Sequence, residues 1–278
     1  MPALRIASLV PSLTELVFAL GLGRHLVART GFCIHPAEEV AAVPKVGGTK
    51  TVNLSKLRGL APTHVLVNVD ENERPTVEAV RAWGAQLVVT HPRHPVDNLA
   101  LVDQVAQALS PWLLAEEAAA LAARSEAMKA ELSAALAALD AGAVGANGRP
   151  PPTPPVRALY LIWREPWMTV TRNTYISQML ALANWRSLPA LEGGDGLTTP
   201  GAARYPVVSG QEPWLAEVQV VLLSSEPYRF GPGHLAEAQA LCPHARVLLV
   251  DGEMLSWYGS RAAAGLRYWR AFARQVLT

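Results

Sequence analysis

The sequence predicts an α/β protein: two α/β lobes with parallel-rich central sheets, joined by one long backbone helix. Three observations carry this. Short β-rich runs alternate with helix-forming runs from Leu4 to Leu109, the pattern of a parallel sheet covered by helices. From Leu113 to Asp140 there is no Gly and no Pro, and the run is dense in strong helix formers. After a Gly/Pro-rich break the alternation restarts. The expected divisions are an N-terminal lobe over 1–112, a bridging helix over 113–141, a linker over 142–155 and a C-terminal lobe over 156–278.

In order, Leu4–Val10 is a strand. Ser12 caps a helix to Leu20, with Glu15 three residues on as a capping box and Gly21 and Gly23 as its stop. Leu26–Thr30 is a second strand, leading into the loop 31–36. Asn53–Leu60 is a short helix closed by Pro62. His64–Val69 is a strand, Thr76–Trp83 a helix ending at Gly84, Gln86–Thr90 a strand and Val96–Leu109 a helix. The uninterrupted run that follows makes a rod of roughly 40 Å at about 1.5 Å per residue. The second lobe has strands at Val156–Trp163, Val218–Ser224 and Ala245–Val250. Its helices are Tyr175–Ala183, Gly233–Leu241 and Arg261–Leu277. Ligands of such lobes bind at the C-terminal ends of the strands, so the expected site is the cleft between the lobes.

Composition excludes several classes. Half of the 278 residues are hydrophobic and 17% are charged, which excludes a disordered chain. The 24 basic residues balance 23 acidic ones, so there is no field for general nucleic-acid binding. Two cysteines, Cys33 and Cys242, exclude a disulfide framework and leave a single bridge open. No apolar run reaches the ~18 residues of a spanning helix, so no membrane insertion is expected. The apolar N-terminus is interrupted by Pro11, Thr14 and Glu15 and lacks a small-x-small cleavage site. The expected compartment is therefore the cytoplasm as encoded, or the periplasm if a leader has been removed. No nucleophile elbow, phosphate loop, HExxH or dinucleotide fingerprint is present.

Four strand-end loops carry candidate chemistry. Cys33 and His35 share the first; both are metal-ligating types. His91 and His94 lie in a Pro-flanked loop at no standard zinc spacing. Trp163, Arg164, Glu165 and Trp167 follow the strand at 156, and six of the eight Trp lie after residue 160. Such rings suit a flat ligand. Trp257, Tyr258 and Arg261 precede the last helix, where a cation opposes the helix dipole and points to an anionic partner. Two acidic loops, Asp70–Glu73 and Ser224–Tyr228, occupy equivalent places in the two lobes.

The stretches Arg5–Glu15 and Val52–Pro62, the strand after them, the Ala-rich helix and Gly259-Ser260-Arg261 resemble one family in order and spacing. It is the class III periplasmic-type substrate-binding proteins of ABC importers, which bind cobalamin or ferric siderophores around a helical backbone. The resemblance implies binding of a metal chelate in the cleft, a corrinoid first, a ferric siderophore or haem next. It implies no catalysis, no resident metal or cofactor, and a monomer. It also implies one glutamate per lobe docking on permease arginines, Glu73 (or Glu71) and Glu226. The absence of a leader and lipobox fits a leaderless branch that binds without transport. Trp163, Trp167, Trp257 and Tyr258 would then give flat contact, Arg164 and Arg261 would pair with peripheral anions, and Cys33 or His35 would approach the metal. The alternatives are a metal-dependent enzyme using Cys33, His35, His91 and His94, or an interaction module without a small ligand.

Overall fold

A computed structural model describes residues 3–143, 154–194 and 203–277. Residues 144–153 of the expected linker lie outside the described residues. The chain divides into two compact units, 1–92 with 96–133 and 258–261, and 93–95 with 134–257 and 262–278.

The first unit is built on four parallel strands, β1 (Ile6–Ser8), β2 (Leu26–Arg29), β3 (His64–Asn68) and β4 (Gln86–Thr90), in the order β2-β1-β3-β4. Every residue of β3 is buried, and its centre, Val65-Leu66-Val67, appears in the sequence as an apolar run without alternation. Its helices are α1 (Pro11–Ala19), α2 (Ala37–Ala41), α3 (Leu54–Gly59), α4 (Arg74–Ala82) and α5 (Asp97–Leu109), followed by α6 (Ala115–Ala143). Ala7, Leu9, Val65 and Val67 pack with Leu57 of α3 and Val80 of α4 in one core. The helix α5 turns Leu101, Val102, Val105 and Leu109 inward, a helical spacing.

Two helix starts differ from expectation. Ser12 does not cap α1: Val10 is the N-cap and Pro11 takes the first turn, where a missing N–H costs nothing. The long helix begins at Ala115, because Leu113 is extended after a short 3-10 turn. Glu117 reaches back to the Leu114 amide at 3.3 Å and satisfies it. At about 1.5 Å per residue, α6 spans roughly 43 Å, and it continues past Gly142 to Ala143. Its buried residues, Leu121, Ser125, Leu132, Ala135 and Leu139, form one narrow stripe.

The second unit holds β5 (Val156–Leu161), β6 (Trp167–Met168), β7 (Trp185–Ser187), β8 (Val207–Val208), β9 (Val220–Ser224) and β10 (Arg246–Val250). The main sheet runs β10-β9-β5-β7, all parallel, and β6 pairs antiparallel with β8. Its helices are α7 (Tyr175–Ala181), α8 (Leu235–Leu241), α9 (Gly252–Ser256) and α10 (Ala262–Leu277). Leu159, Leu161, Val221, Leu223 and Phe230 centre one core. Trp185 and Trp269 are fully buried edge to face, with centroids 5.0 Å apart. Trp269 is therefore a core residue, as its place inside the closing helix suggests. Both cysteines are free and buried, which closes the question of a bridge.

Candidate functional site

Parallel pairing puts the loops after β1, β2, β3 and β4 at one end of the first sheet. In an α/β unit this is the end at which ligands are held. Polar groups fix these loops. Asn72 is buried; its amide donates to the carbonyls of Leu9 (3.2 Å) and Thr49 (3.1 Å) while its oxygen accepts from the Asn68 amide (2.9 Å). Lys50 donates to the Asp70 carbonyl at 2.7 Å. Arg29, at the end of β2, is 4% exposed. Its guanidinium donates to the carbonyls of Val40 (2.9 Å), Val43 (3.2 Å) and Cys33 (2.9 Å). A buried cation thus clamps the 31–36 loop to α2.

That loop turns alternate residues in opposite directions. Cys33 is fully buried, 3.1 Å from the Thr30 hydroxyl, and burial pushes its thiol above the usual range. The expectation that Cys33 meets a ligand metal therefore gives way: its side chain anchors the loop. Its neighbours Phe32 and Ile34 are 63% and 51% exposed, costly for large apolar groups. His35 is half-buried beside them. Among the described residues no group of three or more His, Cys, Asp or Glu is placed to hold a metal. The metal-enzyme alternative on Cys33, His35, His91 and His94 therefore gains no support among the described residues. His91 instead lies 3.4 Å from the Asp70 carboxylate.

The last residues of this unit are also committed. Tyr258 is 6% exposed and its hydroxyl donates to Glu71 at 2.9 Å. Burial and the Glu71 charge push its phenol well above the usual range. Arg261 donates to Glu15 at 2.7 Å. The anion expected for Arg261 is thus a side chain of α1, and Glu15 serves it rather than a capping box. Glu73 is exposed at the N-cap of α4.

In the second unit the strand-end loops are held by rings. The 163–168 segment is a tight antiparallel turn: the Met168 amide donates to the Trp163 carbonyl and the Ile162 amide to the Met168 carbonyl. Trp167 stacks on Phe230 at 5.9 Å, and Phe230 tilts against Tyr228 at 4.7 Å. Trp163 meets Tyr228 edge-on at 5.6 Å and stays 41% exposed. His234 Nδ1 lies 3.0 Å from the Gly231 amide nitrogen and Nε2 3.2 Å from the Tyr228 hydroxyl. Tyr228 was expected only as the end of an acidic loop, and Phe230 and His234 were not singled out by the sequence; the aromatic spacing after β9 was the available signal.

Arg164, expected to meet a ligand anion, bonds Glu237 (2.6 Å) and Glu165 (2.9 Å). Trp257 is 6% exposed, so it shapes the loop before it rather than presenting a ring face. Glu226 is turned inward: its carboxylate accepts from Ser256 and from the Trp257 side chain, and burial raises its carboxyl above the usual range. This differs from the exposed docking carboxylate expected there.

Both sheets thus carry exposed apolar groups at their strand ends. Residues 6–201 match the family described as periplasmic binding protein. The chain belongs to that family. The vitamin B12-binding protein of Yersinia pestis (strain Pestoides F) is 31% identical over 104 residues, 37% of this chain and 36% of that protein. The match thus spans little more than a third of the length of such curated relatives. Among solved structures, the periplasmic vitamin B12 binding protein BtuF of Vibrio cholerae aligns with a TM-score of 0.76 at 19% identity, over 100% of this chain and 99% of that one. The periplasmic heme binding protein HutB of Vibrio cholerae aligns with a TM-score of 0.71 at 20% identity, over 99% of both chains. These likenesses show the fold. No helix among the described residues is long and apolar enough to cross a membrane.

Proposed function

We propose that this protein binds a flat metal chelate, a corrinoid first and haem or a ferric siderophore next, and does no chemistry on it. The observation that carries this is the exposure of Phe32, Ile34 and Trp163 at strand ends, in a member of a binding-protein family. Large apolar groups held out on anchored loops suit a rigid macrocycle, which loses little freedom on binding. The relatives named above, one for vitamin B12 and one for haem, support the same ligand class. His35 is the group nearest this surface by sequence that can ligate a metal or bond a peripheral acid. An ABC permease is the partner the family suggests. Exposed Glu73 is suited to dock on it, whereas Glu226 is committed inward.

The test is a titration with cyanocobalamin, haem and a ferric siderophore, followed in the ligand absorption bands and in tryptophan emission. One of them should saturate at one equivalent. Trp163→Ala and the Phe32→Ala/Ile34→Ala pair should each weaken it about tenfold, the worth of one good ring contact. No saturable response to any of the three would overturn the proposal.

A further inference from the structure

Beside the start of β5 and the edge strand β7 of the second sheet lies a cavity of about 450 Å³. That is within the size range of small-molecule pockets. It opens beside the start of β5, whereas Trp163 follows the end of that strand. Its lining includes three arginines, Arg157, Arg172 and Arg186, and one carboxylate, Glu217. Pro189, Leu191 and Trp214 give it apolar walls.

The arginines are placed, not merely near. Arg157 and Arg186 are register partners on adjacent parallel strands, so both side chains leave the same face about 4.8 Å apart at the backbone. Like charges in that relation repel unless something negative lies between them. Arg157 is steered by a 2.8 Å bond from Nε to the Glu217 carbonyl. Arg172 is pinned through its backbone, its amide donating to the Leu191 carbonyl and its carbonyl accepting from Gln178 at 2.7 Å. Its Nε is buried with no hydrogen-bond partner. No carboxylate pairs with Arg172 or Arg186 among the described residues. Arg164, by contrast, has two glutamates and Arg261 has Glu15. A buried donor left unpaired beside two exposed cations on one sheet face is expensive unless a ligand completes it.

We infer that this cavity is a second binding site, for a small organic anion that carries a phosphate or carboxylate group beside an apolar portion. The guanidinium forks suit either acid group, and Trp214 with the proline and leucine walls suits a ring or short chain.

Calorimetric titration of the full chain with phenyl phosphate, benzoate and inorganic phosphate tests this. Phenyl phosphate or benzoate should saturate, more tightly than inorganic phosphate, and should perturb tryptophan emission. Arg172→Gln and Arg186→Gln should each weaken it between about tenfold and a hundredfold, the worth of a charge-assisted bond. Neither variant should lower the melting temperature without ligand or change the response to cyanocobalamin or haem. No saturable binding by the three probes, or equal binding by the Arg172→Gln/Arg186→Gln double variant, would overturn the inference. Loss of the corrinoid or haem response alone would leave this site standing, because no residue lining the cavity is one of Phe32, Ile34, His35 or Trp163.

Discussion

The two units present loops at the same topological place, the C-terminal ends of parallel strands, and secure them by different physics. In the first unit the anchors are polar. Arg29, Asn72 and Tyr258 are buried, and each reaches a loop through hydrogen bonds of 2.9 to 3.2 Å. In the second unit the anchors are rings, with Trp167, Phe230, Tyr228 and Trp163 in successive contact. Polar anchors fix position sharply but fail when one partner is lost. Rings hold by contact area, and their loss leaves a void. The exposed groups follow suit: Phe32 and Ile34 stand on a clamped loop, whereas Trp163 is the outermost member of a stack.

Removing the centre of each set sharpens this contrast. Phe230 is 5% exposed and touches Trp167, Tyr228 and His234. Phe230→Ala should cost about 3–5 kcal/mol, the range for a buried ring, in urea unfolding. It should also shift the tryptophan emission of the folded protein, because Trp167 loses its stacking partner. A smaller loss is expected in the first unit. Arg29→Met keeps the aliphatic stem and removes the charged donors, for about 1.5–3 kcal/mol. The 31–36 loop should then become the first site of limited proteolysis. If Arg29→Met matches Phe230→Ala, or leaves the loop resistant, the contrast between polar and aromatic anchoring is broken.

What the sequence made legible follows from range. The strands of both main sheets except β7 appear because buried parallel strands carry apolar runs, as in β3 and β9. The long helix appears because nothing in it breaks a helix. Elements of two to five residues, α2, β6, β7, β8 and α9, carry too little pattern to be distinguished from loop. In the sites, residue types were legible and partners were not. Arg261 meets Glu15 from 246 positions away and Tyr258 meets Glu71 from 187 away, so no local spacing could pair them. The 31–36 loop shows the remaining ambiguity: metal-ligating Cys33 drew attention, but which alternate residue faces solvent depends on what Arg29 and Thr30 hold inward.

The two expected docking glutamates make the smallest and most specific comparison. Glu73 is exposed, while Glu226 accepts from Ser256 and Trp257 in a partly buried loop. Gly252 admits this: a Cβ there would lie 2.8 Å from the Glu226 amide nitrogen and against the Ser224 hydroxyl. Burial raises the Glu226 carboxyl in the folded protein above its ordinary value of 4.5, outweighing its hydrogen bonds. A raised folded value means the folded state binds the proton more tightly than the unfolded one. The associated stability is therefore fully present below pH 4.5 and is lost as pH rises through the folded value. Glu226→Gln keeps the shape and the acceptor for Ser256 but cannot ionise. Its melting temperature should exceed that of the parent at neutral and alkaline pH, and the difference should close as the pH falls below 4.5. The exposed Glu73→Gln should stay within about 0.5 kcal/mol of the parent throughout. A Glu226→Gln variant that is less stable at neutral pH would show that the bonds to Ser256 and Trp257 outweigh the cost of burying the charge.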